Sequence, residues 1–395
     1  MLRGNDRWLR MGVRSEPGQE RGCAAHGVTE GSRYFRPELD VLRFMAFLAV
    51  FLHHTLPQHA SHWRTSGWPP WFAAWAAAGA RAGAFGVDLF FVLSAFLITA
   101  LLLRERDQQG RVAIGSFYAR RALRIWPLYY SFLALAIWVV PLVIQGNALR
   151  PSYAIAFALL AGNWICVIQG YPLSVAAPLW SVSIEEQFYL VWPVVVSAGG
   201  VRGLRLGGTG LLALASATRL WLAYAGIKGT GVWCHTVAHL DPIVVGAVLA
   251  TYLGDSQPRF RPTVRLGLIV IGLSSWLLAA RFGSIVGWST LWSYPATTLG
   301  GAAMLVGSLG LGVGTSVTLE PVIAGLAYLG RISYGLYVFH LLAVTLSTRL
   351  QSGRFHLPVA FAITVALAAA SYKWLEKPFL RLKSRFTVVP SGHRP

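Results

Sequence analysis

The chain has 395 residues, 55% of them hydrophobic and only 12% charged, with a mean hydropathy of +0.54. A soluble domain carries about 25% charge, so a water-soluble fold is set aside in favour of a membrane-embedded one. The net charge of +19 would suit nucleic acid, but the basic residues are scattered between apolar runs; they read as topology signals, with affinity for anionic lipid or a phosphorylated substrate and no nucleic-acid partner.

In chain order, residues 1–32 are polar and have no h-region, so no cleavable signal peptide is visible; they read as a disordered cytoplasmic leader. A membrane domain over 33–386 and a cytoplasmic tail over 387–395 follow. Apolar runs of bilayer length fall at 42–57, 84–103, 125–144, 151–168, 178–198, 210–227, 236–253, 266–282, 289–311, 322–348 and 358–376. Sixteen Trp and fourteen Tyr fit interfacial belts. The expected fold is an all-α polytopic transmembrane bundle. Basic loops decide how many runs cross. Arg33, Arg36 and Arg43, then Arg104 to Arg124, Arg202 and Arg205, Arg259 to Arg265, and the Lys373–Arg394 tail all belong inside. Ten crossings with both termini cytoplasmic satisfy them all, in a bacterial inner membrane. The run at 151–168 is then re-entrant or interfacial, because it opens on Pro151 and carries Gly162-Asn163. With only a short basic tail after the last run, the chemistry is expected within the membrane fold. Cys23, Cys166 and Cys234 lack the spacing of a metal site or a disulfide framework.

Polar residues inside apolar spans are costly and mark function. They are Asp88, Glu185, Glu186 and Asp241, with His53, His54 and His340. Arg43 and His54, eleven residues apart, share one helix face with a rise of about 16 Å. That face offers an anion-binding head and, further along, a titratable base. His53 points about 100° away and reads as structural. Arg120, Arg121 and Arg124 cluster ahead of a span; they are either a phosphate clamp or ordinary positive-inside anchors. Ser181 and Glu185 share a face, whereas Glu185 and Glu186 diverge, so at most one of the pair need face a ligand.

These residues lie in blocks that resemble the acyltransferase 3 family of integral membrane O-acyltransferases. The blocks are Arg36-Pro-Glu-Leu-Asp-Val-Leu-Arg43 leading to His54, Phe85-Gly-Val-Asp-Leu-Phe-Phe-Val-Leu-Ser94, and Phe117 to Pro127 with its RxxR at Arg121 and Arg124. They continue with Leu179-Trp-Ser-Val-Ser-Ile-Glu-Glu-Gln-Phe-Tyr189, Ile332-Ser-Tyr-Gly-Leu-Tyr-Val-Phe-His340 and Glu376-Lys-Pro378. Two positions depart from the pattern: Ala95 stands where Gly is common, and His239 where Arg is usual. The resemblance implies that an acyl group, acetyl foremost, moves from acyl-CoA to a hydroxyl. Acyl-CoA is a co-substrate and no cofactor is bound. The acceptor is a cell-surface or lipid-linked glycan, or else a small hydroxylated molecule such as a macrolide. It further implies catalytic roles for His54, Glu185, Glu186, Asp88 and His340, with His54 as general base or acyl carrier. Arg43, Arg121, Arg124, Ser181, Ser94 and Tyr334 are the implied substrate-binding residues, and no metal is implied. From the residues alone, a proton-coupled transporter is the competing class, since it also uses intramembrane acids and histidines; the two similar halves common in carriers are absent.

Overall fold

The computed structural model describes residues 36–254, 256, 258–283, 287–311, 320–350, 356–387 and 389. The expected leader lies outside them, as does most of the tail. Helix α1 (Pro37–Thr55) starts where Pro37 occupies a first-turn position that needs no N–H, and Glu38 and Asp40 favour the positive end of the helix dipole. Helices α2 (Ala60–Thr65) and α3 (Pro70–Ala82) follow, where the sequence reading had placed no element. A single 3-10 turn joins α3 to α4 (Gly86–Gln109), so Pro70–Gln109 makes one apolar stretch of 40 residues.

Helix α5 (Ile114–Ala134) begins eleven residues before the predicted 125–144 run. Arg120, Arg121 and Arg124, expected in the loop ahead of the span, therefore lie inside the helix. The run at 151–168 is broken into α6 (Pro151–Ala158) and α7 (Gly162–Gln169) around Leu160, whose φ is 56°. Each piece rises only about 12 Å, well short of a bilayer core of about 30 Å. Helix α8 (Leu179–Tyr224) joins the predicted 178–198 and 210–227 runs across a kink at Gly200, which puts Arg202 and Arg205 on helix rather than in a loop. Helices α9 (Asp241–Leu253), α10 (Pro262–Phe282) and α11 (Thr290–Ser308) match their predicted runs. The run at 322–348 is instead a pair, α12 (Glu320–Arg331) and α13 (Ser333–Leu350), bent by 74°. Helix α14 (His356–Ser371) passes through a π turn at Tyr372–Glu376 into α15 (Lys377–Lys383).

Every regular element among the described residues is helical. Among the described residues four stretches are long and apolar enough to cross a membrane: Pro70–Gln109, Ile114–Val143, Pro262–Phe282 and His356–Lys383; the bent α12–α13 pair makes a fifth if taken as one. A bundle of this composition, all helix, is that of an integral membrane protein.

Helix α1, which carries Arg43 and His54, is held at close range from two sides. A Cβ on Gly86 would stand 2.4 Å from the Ala46 carbonyl, and one on Gly330 would overlap the Asp40 carbonyl. Phe44, Phe47 and Phe51 fill the space between α1, α13 and α14, together with Leu336, Ala360 and Ala368.

Candidate active site

Helices α1, α4, α5, α8 and α13 enclose a cavity of about 120 Å³. The i, i+4 pair Ser181 and Glu185 and the i, i+3 pair Arg121 and Arg124 each present one helix face to it. Arg43, Ser94, Tyr334 and Tyr337 complete the polar wall. Glu185 lies against the Ser94 hydroxyl, with Arg43 and Arg121 as its nearby cations and Glu186 as a nearby like charge. Arg43 is 3.4 Å from Asp40. Arg124 reaches the carbonyl of Arg331 at 3.2 Å and the carboxylate of Glu376 at 3.6 Å. Arg121 rests against the rings of Tyr189 and Phe117, and its Nε is buried with no hydrogen-bond partner. Arg120, which does not line this cavity, is taken up by Glu105 at 2.9 Å and the Phe386 carbonyl at 2.7 Å.

Tyr337 closes one end of this cavity. Its hydroxyl is 2.7 Å from Ser181 Oγ, and both oxygens reach the Pro178 carbonyl. Behind Tyr337 stands His340, fully buried, its ring centroid 5.4 Å away. The Nδ1–H of His340 must be the donor to the Tyr337 carbonyl, because a carbonyl only accepts. Nε2 then carries a lone pair, and it is buried with no partner. The His54 ring lies 5.1 Å from that of His340, at the exposed end of α1. His53 is held by the Ala80 carbonyl at 3.0 Å, the structural role expected of it.

Contacts between α5 and α13 give the depth of this pair. Tyr334 Oη donates to the Ile125 carbonyl, Phe339 packs edge-on against Phe132, and Arg349 donates to the Gln145 carbonyl. The two helices therefore run in the same direction, and His340 stands about 9 Å beyond Tyr334. Cations and histidines occupy different depths, as the Arg43–His54 spacing foretold. Glu185 and Ser181 share the cavity of the cations.

Two expected catalytic acids lie elsewhere. Glu186 accepts the indole N–H of Trp126 at 2.9 Å and does not line the cavity. Asp88 is 2.6 Å from Nε2 of His239, in a buried cluster where Arg219 grips Asp241 with both terminal nitrogens. His239 and Arg219 thus supply the partners of two buried acids, which accounts for the departure at His239. Sequence reasoning had given no role to Tyr337, Glu376 or Tyr189. Tyr337 precedes His340 by three residues and so shares its helix face. That spacing was the available signal.

A family model described as an acyltransferase domain matches residues 36–373. The chain belongs to the acyltransferase 3 family. It is 26% identical over 386 residues to the peptidoglycan O-acetyltransferase OatA of Listeria monocytogenes, covering 89% of this chain and 57% of that protein. It is also 26% identical over 377 residues to the Staphylococcus aureus (strain MSSA476) protein named "Putative O-acetyltransferase SAS0844", covering 87% of this chain and 57% of that one. The chain therefore spans little more than half the length of these relatives. No solved structure matches it.

Proposed function

We propose that this acyltransferase 3 domain moves an acyl group, acetyl foremost, from cytoplasmic acyl-CoA to a glycan hydroxyl presented at the outer side of the bacterial inner membrane. Residues 33–386 act as one domain of ten crossings, with both termini in the cytoplasm. The observation that carries this reading is one series of contacts: three arginines and Glu185 around a cavity, Tyr337 in its wall, and the His340–His54 pair packed behind Tyr337. Arg43, Arg121 and Arg124 hold the donor's phosphates, for which the planar guanidinium fork is suited. The acyl-pantetheine arm extends past Tyr337. His54 takes the proton of the acceptor hydroxyl, whose oxygen attacks the thioester carbonyl. The C–S bond breaks, the thiol sulfur leaves with the proton, and an ester remains. A glycan acceptor is supported by the name of the Listeria relative, and the same arrangement would serve a small hydroxylated acceptor.

The test uses oriented vesicles with labelled acetyl-CoA on the cytoplasmic face and a membrane-impermeant glycan on the opposite face. Wild-type protein should acetylate the glycan. His54→Ala should lower the rate by about 10²–10⁴, the usual loss for a general base, while the protein stays folded. Acylation confined to acceptors on the donor's own side would exclude delivery across the membrane. Near wild-type turnover in His54→Ala would remove His54 from the chemistry.

A further inference from the structure

Most basic residues around the cavity are already satisfied. Arg43 has Asp40, Arg120 has Glu105, and Arg124 has Glu376 and the Arg331 carbonyl. Two are different. Arg121 makes no hydrogen bond or ion pair among the described residues. Lys383, the last residue of α15, also has no carboxylate partner among them, and the cations Arg121, Arg124, Arg120 and Arg43 lie near it. Like charges gathered in this way repel, and an anion placed between Lys383 and Arg121 would relieve that repulsion.

Lys383 does not open onto the main cavity. It lines a second pocket, of about 40 Å³, with Arg120, Arg121, Glu105 and Thr387. Arg121 lines both spaces, so one guanidinium is their common wall. Glu105 is the single acid in the small pocket, and its oxygens are occupied by Arg120 and by the Ala113 N–H at 2.6 Å.

We propose that the small pocket is a phosphomonoester subsite that takes the 3′-phosphate of the CoA moiety, with Lys383 as the residue that recognises it. The proposal rests on the acyl-CoA reading above. The donor's diphosphate is joined directly to the pantetheine arm. With the arm running toward Tyr337, the diphosphate falls to Arg43, Arg121 and Arg124. The ribose 3′-phosphate is the next anion back along the molecule, one sugar removed, and so belongs on the far side of Arg121. The pocket is large enough for a phosphate and too small for a nucleobase. A phosphomonoester carries about −1.5 to −2 charge near neutral pH, which matches an ammonium and a guanidinium that make no ion pair among the described residues.

Binding of CoA and of 3′-dephospho-CoA to the full chain in detergent micelles tests this. Wild-type protein should prefer CoA by about tenfold or more, as the loss of a charge-assisted contact implies. Lys383→Ala should bring CoA affinity down to that of dephospho-CoA and leave dephospho-CoA binding unchanged, which also shows that the variant is folded. Lys383→Arg should keep the preference. Equal affinity for the two ligands in wild-type protein, or a Lys383→Ala variant that loses both alike, overturns the proposal. So does a phosphatidic acid adduct, seen by native mass spectrometry, that Lys383→Ala removes while CoA and dephospho-CoA bind equally; the occupant is then a lipid headgroup. If wild-type protein binds neither ligand, the acyl-CoA reading itself has failed.

Discussion

His340 is a residue whose tautomer the structure fixes. Its Nδ1–H is committed to the Tyr337 carbonyl, and its Nε2 is buried without a partner in a ring 5.1 Å from that of His54. An asparagine can reproduce the Nδ1 donor and has nothing in place of Nε2. His340→Asn should therefore keep the fold and donor binding while turnover drops by about 10²–10⁴. Calorimetry beside a turnover assay checks both halves; unchanged turnover would leave His54 to act alone. The partnership of these histidines was not legible in the sequence, because His54 and His340 sit in helices at opposite ends of the chain and periodicity works only within one helix. What periodicity could give, it gave: the shared face of Arg43 and His54, and the divergence of Glu185 from Glu186. It could not choose between the two glutamates. That choice follows from which face of α8 meets α4 and α5, and Ser181 in the same cavity marks it. Asp88 stood out in the sequence as a lone intramembrane acid, and tertiary packing pairs it with His239.

At the scale of elements, bilayer-length apolar runs located most helices but missed how they are interrupted. Helix α3 escaped notice because its 13 residues fall short of bilayer length. The 151–168 break was legible from Pro151 and Gly162-Asn163; less visible was its fastening. Asn163 and Gln187 bond to each other at 2.8 Å, and both reach Thr236, so protein covers the irregular backbone there. The bend between α12 and α13 carried no proline or paired-glycine signal and was read as one run. It matters for the site, because the Arg331 carbonyl beside it accepts from Arg124. The close approach to α1 yields a prediction. A methyl group at Gly86 or Gly330 would press on the α1 backbone, which cannot yield as a flexible side chain can. Gly86→Ala and Gly330→Ala should each cost about 1–3 kcal/mol of stability, the usual range for overpacking. Both should also lower turnover by displacing Arg43 and His54 together. Thermal unfolding in detergent and a kinetic assay would show it, and a Gly330→Ala protein with wild-type melting and activity would mean that the helices are not in such close contact.

For the molecule as a whole, the net charge of +19 overstates the signal available for topology, because several arginines are structural. Arg36 donates to the Gly254 carbonyl, Arg265 to that of Gly307, Arg81 to that of Ala280, and Arg106 to that of Val196. Each satisfies a carbonyl at or near a helix end or kink, where the peptide dipoles also favour a cation. Orientation is better tested at the span Ile114–Val143, whose 30 residues rise about 45 Å, enough to cross a bilayer. Gln108 lies just before it, beside the arginines, and Gln145 just after it; both are exposed. In the ten-crossing arrangement α1 runs outward, α4 returns and α5 runs outward again. Gln108 then faces the cytoplasm and Gln145 the exterior. With Cys23 replaced, and with Cys166 and Cys234 buried, a cysteine introduced at either position can be read alone. Gln145→Cys should react with an impermeant maleimide in intact cells, and Gln108→Cys only after permeabilisation. The reverse pattern would place Arg121, Arg124 and Lys383 on the side of the membrane where acyl-CoA is absent, and the donor assignment would fall with the topology. The expected pattern would fix the cationic end of the cavity in the cytoplasm. The α5–α13 register would then set His340 and His54 on the outward side of it, which is the geometry that transfer to an external hydroxyl requires.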